Sequence, residues 1–458
     1  MPTLSFSSLA LNPAQLSNLE QLGYQQMTPI QAQSLPVILN GQDVLAQAKT
    51  GSGKTAAFGI GLLERLGDAN QQVQALVLCP TRELGTQVAE ELRRLARYRP
   101  NTKILLLCGG VSIGPQIGSL AHGADIIVGT PGRVMDHLRK GTLSLRHCHT
   151  LVLDEADRML DMGFIDAMRS IVKTLPSKRQ TLLFSATYPD TIAEISAEFQ
   201  HKPQAVSVEA VHSHSQIRQY FYQVDKAQRA DALCQLLCHY TPEATMVFCN
   251  TKVQCNELND YLNQAGHASV TLHGDLEQRE RDLVLLKFAN GSASVLVATD
   301  VAARGLDIPD LPAVVNFELS RQPEVYVHRI GRTGRAGKEG LAMSFYSESE
   351  KYKLEAISTA LGQELKNGRV PNKSLNAKPP LPKMATLCIA GGKKDKVRAG
   401  DILGALTGDA GISGKQVGKI HIFDFVSYVA VERQVAKQAL NRLQEKGLKG
   451  RKFKLKRI

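Results

Sequence analysis

Between residues 40 and 370 the chain repeats one alternation. Short apolar runs give way to longer stretches whose apolar positions recur every three or four residues. "QALVLCP", "KILLLCGG", "ADIIVGTP", "TLVLDEAD" and "QTLLFSAT" each end on small or polar residues, and "TRELGTQVAEELRRLA" carries the helical spacing. Runs of this kind are strands covered on both faces of a parallel sheet, each delivering functional groups into the loop at its carboxyl end. The alternation pauses at 209–215 and restarts with "ATMVFCNT", "SVTLHGD", "SVLVATD" and "AVVNFEL". The pattern predicts two α/β domains in series, at 1–208 and 216–369, joined by a linker over 209–215.

A second linker is expected at 370–383, where four prolines interrupt a stretch of little apolar content. The rhythm beyond it differs. "ATLCIAGG" reads as a strand, "RAGDILGALTG" as a helix, "GKIHIFDF" and "SYVAVER" as strands, "VAKQALNRLQEKG" as a helix and "RKFKLKR" as a last strand. Residues 384–458 thus form a third module of order βαββαβ. Phe453 and Leu455 alternate with Lys452, Lys454 and Lys456, so the final segment is an edge strand whose lysines discourage edge-to-edge pairing.

Charge separates the modules further. The net +12 arises from 55 Lys and Arg against 43 Asp and Glu. After residue 380 there are 17 against 6, leaving 38 against 37 before it. A basic terminal module on a neutral body points to a polyanion, and to nucleic acid before membrane because no lipid-binding amphipathic helix accompanies it. No run approaches the ~18 apolar residues of a membrane span, and the first residues lack the pattern of a signal peptide. Eight cysteines without a CxxC pair suggest small buried hydrophobes in a reducing compartment, so a cytoplasmic location is expected.

"AKTGSGKT" (48–55) follows the apolar "DVLAQ" and precedes a helix-compatible run. A glycine-rich turn at a helix N-terminus converges backbone N–H groups on phosphate oxygens. Lys54 then reaches the β- and γ-phosphates and Thr55 ligates Mg2+. The broad pattern wants Gly where Ala48 stands. "VLDEAD" (152–157) places Asp154 to hold Mg2+ and Glu155 to polarise an attacking water. "HRIGRTGR" (328–335) adds cationic groups suited to a transferring phosphoryl group. If these come from the second domain, ATP sits in the cleft between the two and its hydrolysis follows domain closure.

Taken in order over about 330 residues, these motifs resemble the DEAD-box RNA helicases. The resemblance implies two tandem RecA-like parallel-sheet domains, with a C-terminal RNA-recognition-motif-like α+β domain. It also turns Ala48 into a match, since the family's loop begins with Ala. Ala48, Lys49, Thr50, Gly51, Ser52, Gly53, Lys54 and Thr55 become the phosphate loop. "GYQQMTPIQ" (23–31) resembles the Q motif, implying that Gln31 reads the adenine edge, that Tyr24 or Phe6 packs near the base, and that Thr28 steadies the loop. Gly305 and Asp307 are implied to face the nucleotide, Asp307 at the ribose, and Arg332 and Arg335 to reach the γ-phosphate. RNA contacts are implied at Arg82, Gly110, Thr130 and Arg133, and at Gly274, Gln278, Arg281 and Thr299. Ser185 and Thr187 of "SAT", with His328, would couple the nucleotide to the RNA.

The βαββαβ module has the order of an RNA-recognition motif, yet "LCIAGG" has no aromatic and "YVAV" only Tyr428. Base stacking is therefore not expected to be its main grip, which leaves backbone and shape contacts. The module resembles the C-terminal domain of one bacterial branch of the family. This implies a hairpin of large-subunit (23S) ribosomal RNA as target, in ribosome assembly. Lys393, Lys394, Arg398, Lys415, Lys419, Arg451, Lys452 and Lys454 are the candidate contacts. The implied activity is ATP-dependent local separation of RNA duplexes. Two other readings remain open: an ATP-gated RNA clamp without net unwinding, and a DNA helicase, which the Q motif disfavours.

Overall fold

The computed structural model describes all residues except 1–3, 49–50, 69–71, 189, 209–216, 304–310, 335–338, 372–378, 410 and 449. The expected linker at 209–215 and most of the one at 370–383 lie outside the described residues. The described chain forms two compact units, one over residues 4–208 and one over 217–458.

The first unit is built on β1 (Val44–Gln47), β2 (Ala75–Leu78), β3 (Ile104–Leu107), β4 (Ile126–Gly129), β5 (Thr150–Asp154), β6 (Gln180–Ser185) and β7 (Gln204–Ser207). All pair in parallel, in the order β3-β4-β2-β5-β6-β1-β7. Successive residues of β2, β5 and β6 point to opposite faces, yet every one is buried. Both faces are covered, and the near-continuous apolar runs were the sequence trace of that.

The second unit begins with β8 (Ile217–Gln223), β9 (Thr245–Cys249), β10 (Ser269–Leu272), β11 (Val295–Thr299), β12 (Ala313–Asn316) and β13 (Gly340–Tyr346), parallel in the order β10-β11-β9-β12-β13-β8. It continues into an antiparallel sheet of β14 (Met384–Ile389), β15 (Val417–Ile422), β16 (Ser427–Glu432) and β17 (Leu455–Arg457), ordered β15-β16-β14-β17. The expected architecture is present, and β17 is an edge strand pairing with β14 alone. It is shorter than the alternation of 451–457 predicted. Arg451 lies over the Phe453 ring and donates to the Asp395 carbonyl, so this segment is held to a loop instead of a ladder. The expected helix over 398–408 is Ala399–Gly404 followed by a wider turn at Ala405–Asp409.

One face of the antiparallel sheet packs on two helices through Ile389, Leu387, Val429, Val431, Ile402 and Leu443. The opposite face meets the parallel-sheet part of its own unit. Thr386 is fully buried and shares hydrogen bonds with Ser292 (2.8 Å) and Asn290 (3.4 Å). Desolvation lowers the Lys287 pKa, with Lys456 of β17 adding repulsion, and the Arg279 charge acts on both Cys388 and Tyr428. The sheet face that an RNA-recognition motif ordinarily offers to bases is a docking face here. Small residues at Thr386, Cys388 and Ala430 suit that use.

Candidate functional site

In the first unit the strand order sorts the predicted site residues. Gly110 follows β3, Thr130 and Arg133 follow β4, and Arg82 follows β2. Asp154 and Glu155 end β5, Ser185 and Thr187 end β6, and residues 48–55 follow β1. Along the carboxyl edge the three strands carrying expected RNA contacts are consecutive, and so are the three carrying expected nucleotide and coupling residues. The expectations thus divide between two neighbouring halves of one edge.

The nucleotide half is tightly built. The Ala48 N–H donates to the Ser185 carbonyl at 2.9 Å, tying the start of the phosphate loop to β6. Gly53 sits at φ +95, where a side chain is strained, and begins the helix Lys54–Glu64. A Cβ there would come within 2.6 Å of the Gln31 amide nitrogen. Gln31 accepts from the Thr28 N–H (2.9 Å) and donates to the Gly53 carbonyl (3.1 Å). Gln31 thus ties Thr28 to the loop. The buried Thr28 hydroxyl also lies against it, 3.0 Å from where a Cβ at Gly53 would stand. The two bonds of Gln31 use one of its two amide N–H donors and one of its two lone pairs, so one of each is left for an adenine edge. Phe6 is buried edge-on against Tyr24, at 6.0 Å and 84°, and the Tyr24 hydroxyl bonds Glu91.

Lys54 Nζ and Asp154 Oδ1 are buried without hydrogen-bond partners among the described residues. A buried orphan ammonium beside an orphan carboxylate oxygen is what phosphate and a cation would satisfy. Burial pushes the Asp154 carboxyl up to about 6, against the lowering effect of Lys54, and Glu155 adds to the rise. Glu155 is left-handed at φ 53 and ψ 51, and its carboxylate pairs with the Arg158 guanidinium at 3.1 Å. Such a conformation costs ~1–2 kcal/mol in a non-glycine residue. It turns the carboxylate away from the ideal course of the strand at the point where chemistry is expected.

Asp157 was absent from the expected site residues, although it closes the "DEAD" run. One of its oxygens accepts from the Ala186 N–H (3.2 Å), the Thr187 N–H (3.0 Å) and the Thr187 hydroxyl (2.9 Å). The Ser185 hydroxyl donates to the Thr187 carbonyl at 2.7 Å. The link between "DEAD" and "SAT" therefore runs through Asp157. An acid following an apolar strand was the available signal. In the RNA half, Arg133 donates to the Val111 carbonyl at 2.8 Å and so shapes the loop that contains Gly110, at φ +76.

In the second unit Gln278 and Arg281 lie on the helix Gln278–Ala289 after β10, and Thr299 ends β11, its hydroxyl accepting from the Ala302 N–H. Gly274 is exposed in the loop between β10 and that helix. His328 is on the helix Pro323–Ile330, and Arg332 is buried just after it. Sequence reasoning passed over Arg329 of the same run. Its guanidinium grips both oxygens of Asp300 at 2.7 Å and also donates to Asn250, Asn316 and the Glu318 carbonyl. It is a positioning residue that binds the ends of β9, β11 and β12 together. Lys49, Thr50, Gly305, Asp307 and Arg335 lie outside the described residues.

All eight basic candidates of the terminal module are exposed. They fall into separate places. Lys393, Lys394 and Arg398 follow β14, and Arg451, joined to the Asp395 carbonyl, brings Lys452 and Lys454 beside them. Lys415 and Lys419 lie at β15, the other edge of the sheet.

Three family models match in chain order: "DEAD/DEAH box helicase" over residues 28–195, "Helicase conserved C-terminal domain" over 228–337 and "DbpA RNA binding domain" over 386–457. The ATP-dependent RNA helicase DbpA of Escherichia coli (strain K12) is 55% identical over 448 residues, 98% of each chain. The DEAD-box ATP-dependent RNA helicase CshA of Geobacillus kaustophilus is 46% identical over 368 residues, 80% of this chain and 79% of its own. Among solved structures, S. cerevisiae Dbp5 bound to RNA and ADP BeF3 is 33% identical with a TM-score of 0.74, covering 80% of this chain and 96% of its own. Mss116p bound to ssRNA and AMP-PNP is 26% identical with a TM-score of 0.72, covering 81% and 80%.

Proposed function

The chain belongs to the DEAD-box ATP-dependent RNA helicases, and on that premise we propose that its C-terminal module delivers it to a hairpin of large-subunit (23S) ribosomal RNA in pre-ribosomal particles, where it separates short duplexes during ribosome assembly. We assign the helicase domains to 1–208 and 216–369 and the RNA-binding domain to 384–458. The observation carrying the targeting is the exposed basic group around 393–398 and 451–454, in a module that matches the DbpA RNA binding domain.

In this reading Lys54 and the backbone N–H groups of the phosphate loop hold the ATP phosphates, and Glu155 orients the attacking water. Mg2+ would lie against Thr55 and Asp154, neutralising phosphate charge, and the orphan oxygen of Asp154 favours this. Mg2+ held by so few protein oxygens would keep several waters and take oxygens of the substrate phosphates. Arg332 and Arg335 add charge at the γ-phosphate. Gly53 and Gln31 keep the loop in shape, and Asp157 passes its state to Ser185 and Thr187. Arg82, Thr130, Arg133, Gln278, Arg281 and Thr299 contact sugar and phosphate, which positions a strand without reading its bases.

We place the protein in the cytoplasm. Eight free cysteines support a reducing compartment, and no helix among the described residues is long and apolar enough to cross a membrane. Crosslinking in cell extract with sequencing of the bound RNA tests the targeting. Enrichment of large-subunit ribosomal RNA is expected. Recovery of mostly messenger RNA would overturn it.

A further inference from the structure

The terminal module has four aromatic side chains, and the structure removes two from contention for RNA. Tyr428 is buried on the sheet face, where Arg279 of the same unit acts on it. Phe453 is half-buried beneath Arg451. Phe423 and Phe425 remain, at 40% and 71% exposed, on the turn between β15 and β16. A single exposed ring would be ordinary, but two on one four-residue turn make an apolar patch of the kind that marks an interaction site.

This turn is not a loose loop. The Phe423 N–H donates to the Val426 carbonyl at 2.8 Å, closing it. The Lys393 N–H donates to the Phe423 carbonyl at 2.8 Å and the Lys394 N–H to the Asp424 carbonyl at 2.9 Å. The buried Ser427 hydroxyl donates to the Gly391 carbonyl at 2.7 Å. A side chain at Gly392 would strike the Phe423 carbonyl, so the close approach requires glycine there. The Phe423 ring stands edge-on against Tyr428, at 5.8 Å and 79°. The two phenylalanines are thus held on a rigid turn bonded directly to the backbone of Lys393 and Lys394, whose side chains are exposed. Lys396 and Arg398 follow on the same loop, with Asp395 and Asp424 as the opposing charges.

We infer that Phe425, on the same closed turn as Phe423, is a stacking platform for an unpaired base of the target RNA, with Lys393 and Lys394 on the phosphates beside it. The inference rests on the reading of this module as the RNA-targeting part. Its physical basis is that the usual platform is covered: Thr386 is buried against Ser292 and Asn290, so bases cannot lie across the sheet. Exposed aromatics beside cations are what a single-stranded segment needs, since every base has a π-face and every linkage a charge. A membrane or a protein partner would also meet exposed phenylalanines, but the flanking lysines favour the polyanion.

The test uses the full chain without nucleotide and fluorescence anisotropy at one fixed salt concentration. The probes are a labelled RNA hairpin with an unpaired loop and a blunt duplex of the same stem. F425A and F425L should each weaken hairpin binding about tenfold, the scale of losing one stacked base. F425W should bind within about twofold of wild type, while duplex affinity and the salt slope stay where they were. Wild-type hairpin affinity in F425A overturns the inference. So does F425L binding like wild type, because leucine keeps the apolar contact without the π-face. Equal weakening for hairpin and duplex, a general loss of grip, overturns it as well. If wild type itself does not prefer the hairpin, the targeting reading falls along with the inference, and only that outcome shows before any variant is made.

Discussion

Replacing Asp157 by Asn keeps the shape of the acceptor that holds residues 185–187 and removes its charge. One oxygen of Asp157 takes three hydrogen bonds, from the Ala186 and Thr187 N–H groups and the Thr187 hydroxyl, at 2.9 to 3.2 Å. The other accepts from the Arg158 N–H at 3.1 Å, so an amide nitrogen turned that way meets a donor and the side chain has no fully satisfied orientation. Hydrogen bonds to a charged group contribute ~1.5–3 kcal/mol each against ~0.5–1.5 for neutral ones. Three sharing one oxygen do not add fully. A net loss of about 1.4 kcal/mol is therefore the working figure, equivalent to about tenfold in the docking of this segment. If docking couples nucleotide state to RNA, duplex release in Asp157→Asn should slow about tenfold. RNA-saturated ATPase should change by less than about threefold, because Lys54, Asp154 and Glu155 are untouched. Thr187→Ala removes one of the three bonds, and in the double variant its effect should be smaller by about 0.5 kcal/mol, the share of the loss that falls on the bond both changes affect. Strand release and ATPase falling in step, or strictly additive single effects, would refute the coupling.

Burial raises Asp154 from 3.8 to about 6, so the nucleotide-free folded chain keeps a proton that the unfolded chain releases. Stability is therefore lost as pH rises from about 4 to about 6, by roughly 3 kcal/mol at 1.36 kcal/mol per unit. Asp154→Asn should flatten this part of the Tm profile, and an unchanged slope would show that another group titrates there. Gly53→Ala forces a Cβ into left-handed backbone and against the Gln31 amide. It should raise the Kd for a fluorescent ATP analogue about tenfold, from ~1–2 kcal/mol of strain, and unaltered affinity would contradict the role given to Gln31. Thr386→Val leaves Ser292 and Asn290 short of a partner at a fully buried contact, a cost of ~1–3 kcal/mol. Amide exchange at 290–292 should rise while Leu387 and Val429 stay protected, and unchanged protection would mean the docking face does not depend on this bond.

The sequence by itself determined the local and repetitive features. Strands with both faces buried must be apolar along their whole length, so β2, β5 and β6 were visible as runs, and their ends marked the sites at Asp154 and Ser185. A phosphate loop needs glycines and a lysine at fixed spacing because backbone N–H groups must converge on one anion, and this is legible without coordinates. The period-two alternation around Leu455 likewise marked β17 as an edge strand, but not its length, which was decided by contacts of Arg451 and Phe453 with a distant loop. Contacts between residues far apart in the chain belonged to the tertiary structure alone. It gave Gln31 the Gly53 carbonyl, gave Asp157 the donors of Thr187, and set Arg329 across three strand ends. It also covered one face of the terminal sheet, leaving Phe423 and Phe425 as the exposed rings. A residue's chemistry is written in its type. Its available partners are set by strand order and by which faces are covered, and no local stretch of sequence encodes either.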